Sequence, residues 1–242
     1  MGLRLDPLGR AAQTQVGRDV MAGGARGTGF DGLVDLRLQR AIRELGWTAP
    51  TPIQAQVIPY LKTGRDLVAR AEAGSARTAA FGIPMLQRLD PRSKAVQGLV
   101  LVPGRELAKK VATDLGALGL YTRLRIVAIS EGEPSARQVA HLRDKPHIVV
   151  GTPGRVLDHL GRGTLTLRSV TLLVLDAADR MLELGFRTDV EQILVRTPST
   201  RQTALFASTV PDPVRAMVSR YLRNPIYVAL ATRETRAVAT GE

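Results

Sequence analysis

Seven short apolar runs punctuate the chain, spaced to leave room for about one helix between each pair, and they restrict the fold more than anything else in it. They are DLVAR (66–70), GLVLV (98–102), RIVAI (125–129), HIVVGT (147–152), LLVLD (172–176), TALFAS (203–208) and IYVAL (226–230). Helical periodicity begins between them near Arg77, Arg105, Ser135, Gly154, Ala177 and Pro213, the last with Val214, Met217, Val218, Tyr221 and Leu222 at helical spacing. Ahead of them, LVDLRLQRAIREL (33–45) puts Val34, Leu38, Ala41, Ile42 and Leu45 on one helical face, and Gly46 ends it. Strands that are continuously apolar, and not alternating, are buried on both faces. The pattern therefore predicts an α/β fold: a mainly parallel sheet of about seven strands with helices on both faces. Ligands of such sheets bind beyond the carboxyl ends of the strands, so functional residues are expected there.

Composition narrows the partners. The 242 residues carry 34 basic and 22 acidic side chains, a net charge of +12, with only five lysines among the basic ones. This excess favours a polyanion, nucleic acid before a membrane surface. No apolar run approaches the roughly 18 residues of a membrane span. Cysteine is absent, which excludes disulfides and thiolate metal sites, and His141, His147 and His159 lack metal-ligand spacing. Residues 1–28 show no sustained period and end in MAGGARGTG, the composition of a flexible basic arm. This arm lacks the apolar segment of a secretory signal, and Asp6 stands where myristoylation expects a hydroxyl residue.

Two segments suggest chemistry. AEAGSARTAA (71–80) follows a strand and opens a helix as a phosphate-binding loop does, with Gly74, Ser75 and Thr78 in place. The glycine and lysine such a loop needs, for convergent N–H groups and for the β/γ-phosphates, are here Ala76 and Arg77. Read alone, the segment favours an ordinary turn over a working nucleotide site. LLVLDAAD (172–179) ends a buried strand on Asp176, which can hold a Mg²⁺ water shell or merely cap the next helix.

Taken in order from Phe30 to about residue 230, the segments resemble the first RecA-like domain of a DEAD-box RNA helicase. GWTAPTPIQ (46–54) is similar to the adenine-reading Q motif, with Trp47, Gln54 and the upstream aromatic Phe30. AEAGSART stands where the family has A-x-T-G-S-G-K-T, and PGRELA (103–108) resembles P-T-R-E-L-A. TPGR (152–155) matches outright, DAAD (176–179) stands in for D-E-A-D, and AST (207–209) for S-A-T.

This resemblance implies a RecA-like domain over residues 29–242 and ATP or ADP with Mg²⁺ as cofactor. It assigns the nucleotide to Phe30, Trp47, Gln54, Gly74, Ser75, Ala76, Arg77 and Thr78, and the metal, if nucleotide binds, to Thr78 and Asp176. RNA falls to Arg105, Thr152, Pro153, Gly154 and Arg155; coupling between the two ligands falls to Asp179 and to Ala207, Ser208 and Thr209. It further implies a cytoplasmic location, RNA as partner, and a second RecA-like domain or protein partner in trans as a candidate, unless the sequence is a piece of a longer chain.

The departures fall mainly on hydrolysis. Ala177 replaces the acidic residue that polarises the attacking water, so no intact catalytic set remains. Arg77 keeps a charge but not the compact ammonium of lysine, and Ala76 adds a Cβ where backbone must approach phosphate. Ala73, Gly104 and Ala207 each lose a family hydroxyl. The expectation is an RNA-binding domain with impaired ATP binding and hydrolysis, unable to unwind RNA alone, since the chain stops before the family's second domain. Two alternatives stay open: half of an authentic helicase with tolerated or engineered substitutions, and a protein-interaction scaffold that has lost both ligands.

Overall fold

The structure, a computed structural model, describes residues 29–72 and 75–229. The basic arm over residues 1–28 and the loop residues Ala73 and Gly74 lie outside the described residues. Two helices lead in, α1 (Leu36–Glu44) and α2 (Pro52–Lys62), followed by β1 (Leu67–Arg70) and α3 (Ser75–Arg88). Next come β2 (Gly98–Leu101), α4 (Arg105–Leu118), β3 (Ile126–Ile129), α5 (Ser135–Arg143), β4 (Ile148–Gly151) and α6 (Pro153–Gly161). The chain continues through β5 (Leu172–Asp176), α7 (Ala178–Glu183), α8 (Arg187–Val195), β6 (Gln202–Ala207), α9 (Asp212–Tyr221) and β7 (Ile226–Ala229). All seven expected strands form one sheet, ordered β3-β4-β2-β5-β6-β1-β7, and every pairing is parallel.

The strands other than the edge strand β7 feed two separate cores, because successive side chains point to opposite faces. Leu67, Ala69, Val100, Val150, Val174 and Phe206 pack beneath α1, α2, α3 and α4. Val68, Leu99, Leu101, Val149, Leu173 and Leu205 pack against α5 to α9. On the first face α3 and α4 approach closely at Gly82, where an added Cβ would stand 2.5 Å from Leu115 Cδ2. A buried polar clasp ties the amino ends of the central strands: Asp66 accepts from Thr203 N and Arg223 N, both at 2.7 Å, and Gln202 Nε2 donates to Arg65 O at 2.6 Å. The clasp fixes the register on which the opposite, carboxyl edge depends.

Two helices escape the periodicity reading. Helix α2 carries Pro59 in its interior, yet buries Ile53, Val57, Ile58 and Leu61 as one stripe. That burial outweighs the missing hydrogen bond. Helix α8 is short and buries Val190, Ile193 and Leu194. In α1 only Leu38, Ala41 and Ile42 are buried within the helix, and Leu45, expected on the same face, is exposed. Among the described residues no helix is long and apolar enough to cross a membrane.

Candidate functional site

The carboxyl edge of the sheet gathers the predicted residues into two groups. The first forms where β1, β5 and β6 end side by side. Arg77, in the first turn of α3, turns inward and sets Nη2 3.2 Å from Asp176 Oδ1 at the end of β5. Its Nη1 donates to Ala71 O at 3.2 Å. Both side chains are almost wholly buried, at 4% and 3% exposure. The charges are close but poorly aligned, since Arg77 Nε and Asp176 Oδ1 have no hydrogen-bond partner. Burial pushes the Asp176 carboxyl above the usual carboxylate range, and the Arg77 guanidinium opposes that rise.

Thr78 is buried beside Arg77, and both line a cavity of about 450 Å³ with Asp176, Ala177 and Ser208. Lys110 reaches the same cavity from α4, pairs with Asp114 at 2.6 Å and adds a small opposition to the rise at Asp176. Sequence reasoning did not single it out; its signal is a lysine on the helix that PGRELA opens. Ala177 sits at φ 61°, ψ 52°, a left-handed backbone in which an ordinary L-residue costs about 1–2 kcal/mol. It places a methyl group where the resemblance calls for a carboxylate.

Asp179, in the first turn of α7, reaches across to the turn after β6. Its Oδ2 accepts from Ser208 N at 3.0 Å, Thr209 N at 2.9 Å and Thr209 Oγ1 at 3.2 Å, welding α7 to the turn after β6. Ala207, the last residue of β6, is buried and offers only a methyl. Gln54 turns its amide to backbone: Oε1 accepts from Thr51 N at 2.9 Å, and Nε2 donates to Ala76 O at 3.3 Å, tying α2 to α3. Phe30 stacks on Trp47 with ring centroids 6.3 Å apart and is itself buried.

A second group forms where β2 and β4 end as neighbours, Leu101 opposite Gly151. Gly104 caps α4, and Arg105 follows it, paired with Glu106 at 3.1 Å. After β4, Thr152 caps α6 and Pro153 opens it; Arg155 stands 3.9 Å from Asp158, an i,i+3 contact on the same helix. Missed by sequence reasoning is Glu131, in the loop between β3 and α5, which accepts a hydrogen bond from buried Thr152 Oγ1. Its only sequence signal is an acidic residue directly after a strand end. The metal-ligating side chains do not cluster: no group of three or more His, Cys, Asp or Glu able to hold a cation occurs among the described residues.

A seven-stranded parallel sheet with a strand–loop–helix turn at β1 and an aspartate ending β5 defines a RecA-like domain. More narrowly, the DEAD/DEAH box helicase family model matches residues 51–217, and the chain belongs to that family. It is 44% identical over 203 residues to the DEAD-box ATP-dependent RNA helicase CshA of Bacillus cereus, covering 84% of this chain and 38% of that protein. It is 42% identical over 205 residues to the ATP-dependent RNA helicase CshA of Listeria monocytogenes, covering 85% and 39%. A crystal structure of a DEAD box protein from Methanococcus jannaschii superposes with a TM-score of 0.78 at 36% identity, over 82% of this chain and 54% of that one. The chain thus spans about two fifths of the length of the curated relatives it matches.

Proposed function

We propose that this chain is an RNA-binding RecA-like domain of the DEAD-box type in which ATP binding and hydrolysis are impaired, and that it does not unwind RNA by itself. One observation carries the reading: the buried Arg77–Asp176 pair. In the resemblance, the loop cation grips phosphate while the strand-end aspartate serves the metal. Here the two groups neutralise each other. A Mg²⁺–nucleotide held through Thr78 and Asp176 would first have to break this buried pair, and would meet at Arg77 a bulky planar fork in place of a compact ammonium. Asp179, the neighbouring carboxylate of the cavity, already accepts four hydrogen bonds, three of them on Oδ2. As they stand, the residues do not fit the metal.

Ala177 supports the same reading from the chemical side. It offers no group to orient or deprotonate water, and a positioned general base is typically worth about 10²–10⁴-fold. Arg105 and Arg155 support the RNA side: both stand in the first turn of helices at the ends of neighbouring strands, and the basic excess of the chain favours backbone phosphate.

Calorimetric titration with ATP and ADP, with and without Mg²⁺, tests this reading together with phosphate release in the presence of RNA. Weak nucleotide binding that Mg²⁺ does not strengthen, and phosphate release at background, are expected. RNA-stimulated turnover that tracks the purified protein would overturn it. That result would favour the other reading, an authentic helicase half, which the Asp179 link to Ser208 and Thr209 supports.

A further inference from the structure

The surface at the start of α6 carries more negative charge than a phosphate-binding surface should. The first-turn amides of a nine-residue helix point outward without intrahelical acceptors, and its dipole favours an anion there. An anion is already present. The Glu131 carboxylate accepts from Thr152 Oγ1, and its other oxygen lies 3.1 Å from where a β-carbon on Gly154 would stand. Asp189, from the start of α8, approaches the same point with Oδ2 at 3.8 Å. A β-carbon at position 154 would crowd this approach and push the Glu131 carboxylate back by a few tenths of an ångström. Around it the cations are already matched: Lys109 pairs with Glu133 at 3.0 Å and Arg105 with Glu106 at 3.1 Å. Arg105 Nη1 also lies against Gly132, 2.7 Å from where a β-carbon there would stand, so the loop bearing Glu131 rests directly on the candidate RNA surface.

We propose that Glu131 is a built-in stand-in for an RNA phosphate at the Thr152–Arg155 turn, so that single-stranded RNA backbone must displace it to bind there. This rests on the RNA-binding reading above and adds a determinant of affinity outside the matched motifs. Exposed pairs such as these are weak and screened by salt, so the carboxylate discourages binding and does not forbid it. Its selectivity follows from charge: a phosphate-rich strand is penalised, and a partner offering a cation at this turn is not.

The test uses the full chain and a fluorescein-labelled oligouridine of about ten nucleotides, within the span of one binding groove. Glu131→Gln is nearly isosteric at an exposed position. It should raise affinity about fivefold at low salt and steepen the dependence of log K on log salt by roughly one unit, as one more phosphate contact forms. Glu44→Gln changes net charge identically, but its carboxylate faces Tyr121 on another part of the surface, so it should leave both quantities unchanged. Equal gains in the two variants would mean that net charge alone acts, and would overturn the proposal. So would an unchanged or weakened affinity for Glu131→Gln while Arg105→Ala and Arg155→Ala still weaken binding; the RNA-binding reading would then survive alone. Failure of the wild type and of Glu131→Gln to bind would remove both.

Discussion

The two halves of the sheet's carboxyl edge hold their charges in opposite ways. Beneath the β1–α3 turn, Arg77 and Asp176 face each other in the interior, nearly free of solvent. At the ends of β2 and β4, Arg105 is about half exposed and pairs across the surface with Glu106. A buried pair commits both members, because separating them strands a charge where water cannot reach. A surface pair exchanges partners at little cost. The same family framework is thus closed on itself on one side and open to a competing ligand on the other.

The strongest way to break this contrast is Arg77→Met. Losing the counter-charge should cost about 3 kcal/mol at pH 7, as expected when one partner of a buried pair is removed. The cost should depend on pH with a definite sign. Asp176 is raised above 3.8 in the folded protein, so its contribution to stability is fully present below pH 3.8 and is lost as pH rises through the raised value. Removing Arg77 raises the carboxyl further, so the deficit relative to wild type should be small near pH 4 and largest at neutral pH. Adding Asp176→Leu should recover most of it. Urea unfolding across pH measures all of this; a single variant as stable as wild type at pH 7 would mean the pair is not closed.

Next in size is the repair of the closed side. Ala76→Gly, Arg77→Lys and Ala177→Glu together should strengthen nucleotide binding by about tenfold, returning backbone donors and a compact ammonium to the phosphates. Duplex unwinding should still be absent. Unwinding by the repaired chain would show that a single RecA-like domain suffices.

On the open side the effects are smaller. Arg105→Ala and Arg155→Ala should each weaken binding to unrelated RNA sequences by a similar few-fold factor, and lower the salt slope by roughly one unit each. Fluorescence anisotropy at several salt concentrations reads both. If neither variant changes and deletion of residues 1–28 abolishes binding, the arm carries the charge and the folded surface is a scaffold.

The smallest expected effect separates shape from charge on the closed side. Ala177→Gly should stabilise the fold by about 0.5 kcal/mol, the relief of a left-handed backbone less the greater freedom of glycine in the unfolded chain. Thermal unfolding checks it. A loss of stability would mean that the Ala177 methyl contributes more by packing than its backbone costs.

Much of the fold was legible in local chemistry. Continuous apolar runs mark strands buried on both faces, and all seven formed; the helix starts near Arg105, Ser135 and Gly154 fell within a residue of those observed. Apart from the Q-motif residues, which precede β1, each motif begins at or just after a strand end and so lies at the carboxyl edge. Proline hid α2, since a sequence window weighs the missing hydrogen bond and cannot see the buried stripe that offsets it.

By itself, then, the sequence determined the alternation of elements, the parallel sheet and the loss of a carboxylate at position 177, all of them properties of single residues or short windows. Tertiary structure alone decided that β1 and β5 flank β6, bringing Arg77 to Asp176, and that β3 lies beside β4, bringing Glu131 onto Thr152. Neither contact has a local signature. Each joins residues on different crossover units, and the energy that selects it comes from packing two cores across one sheet, not from the propensity of the segments that meet.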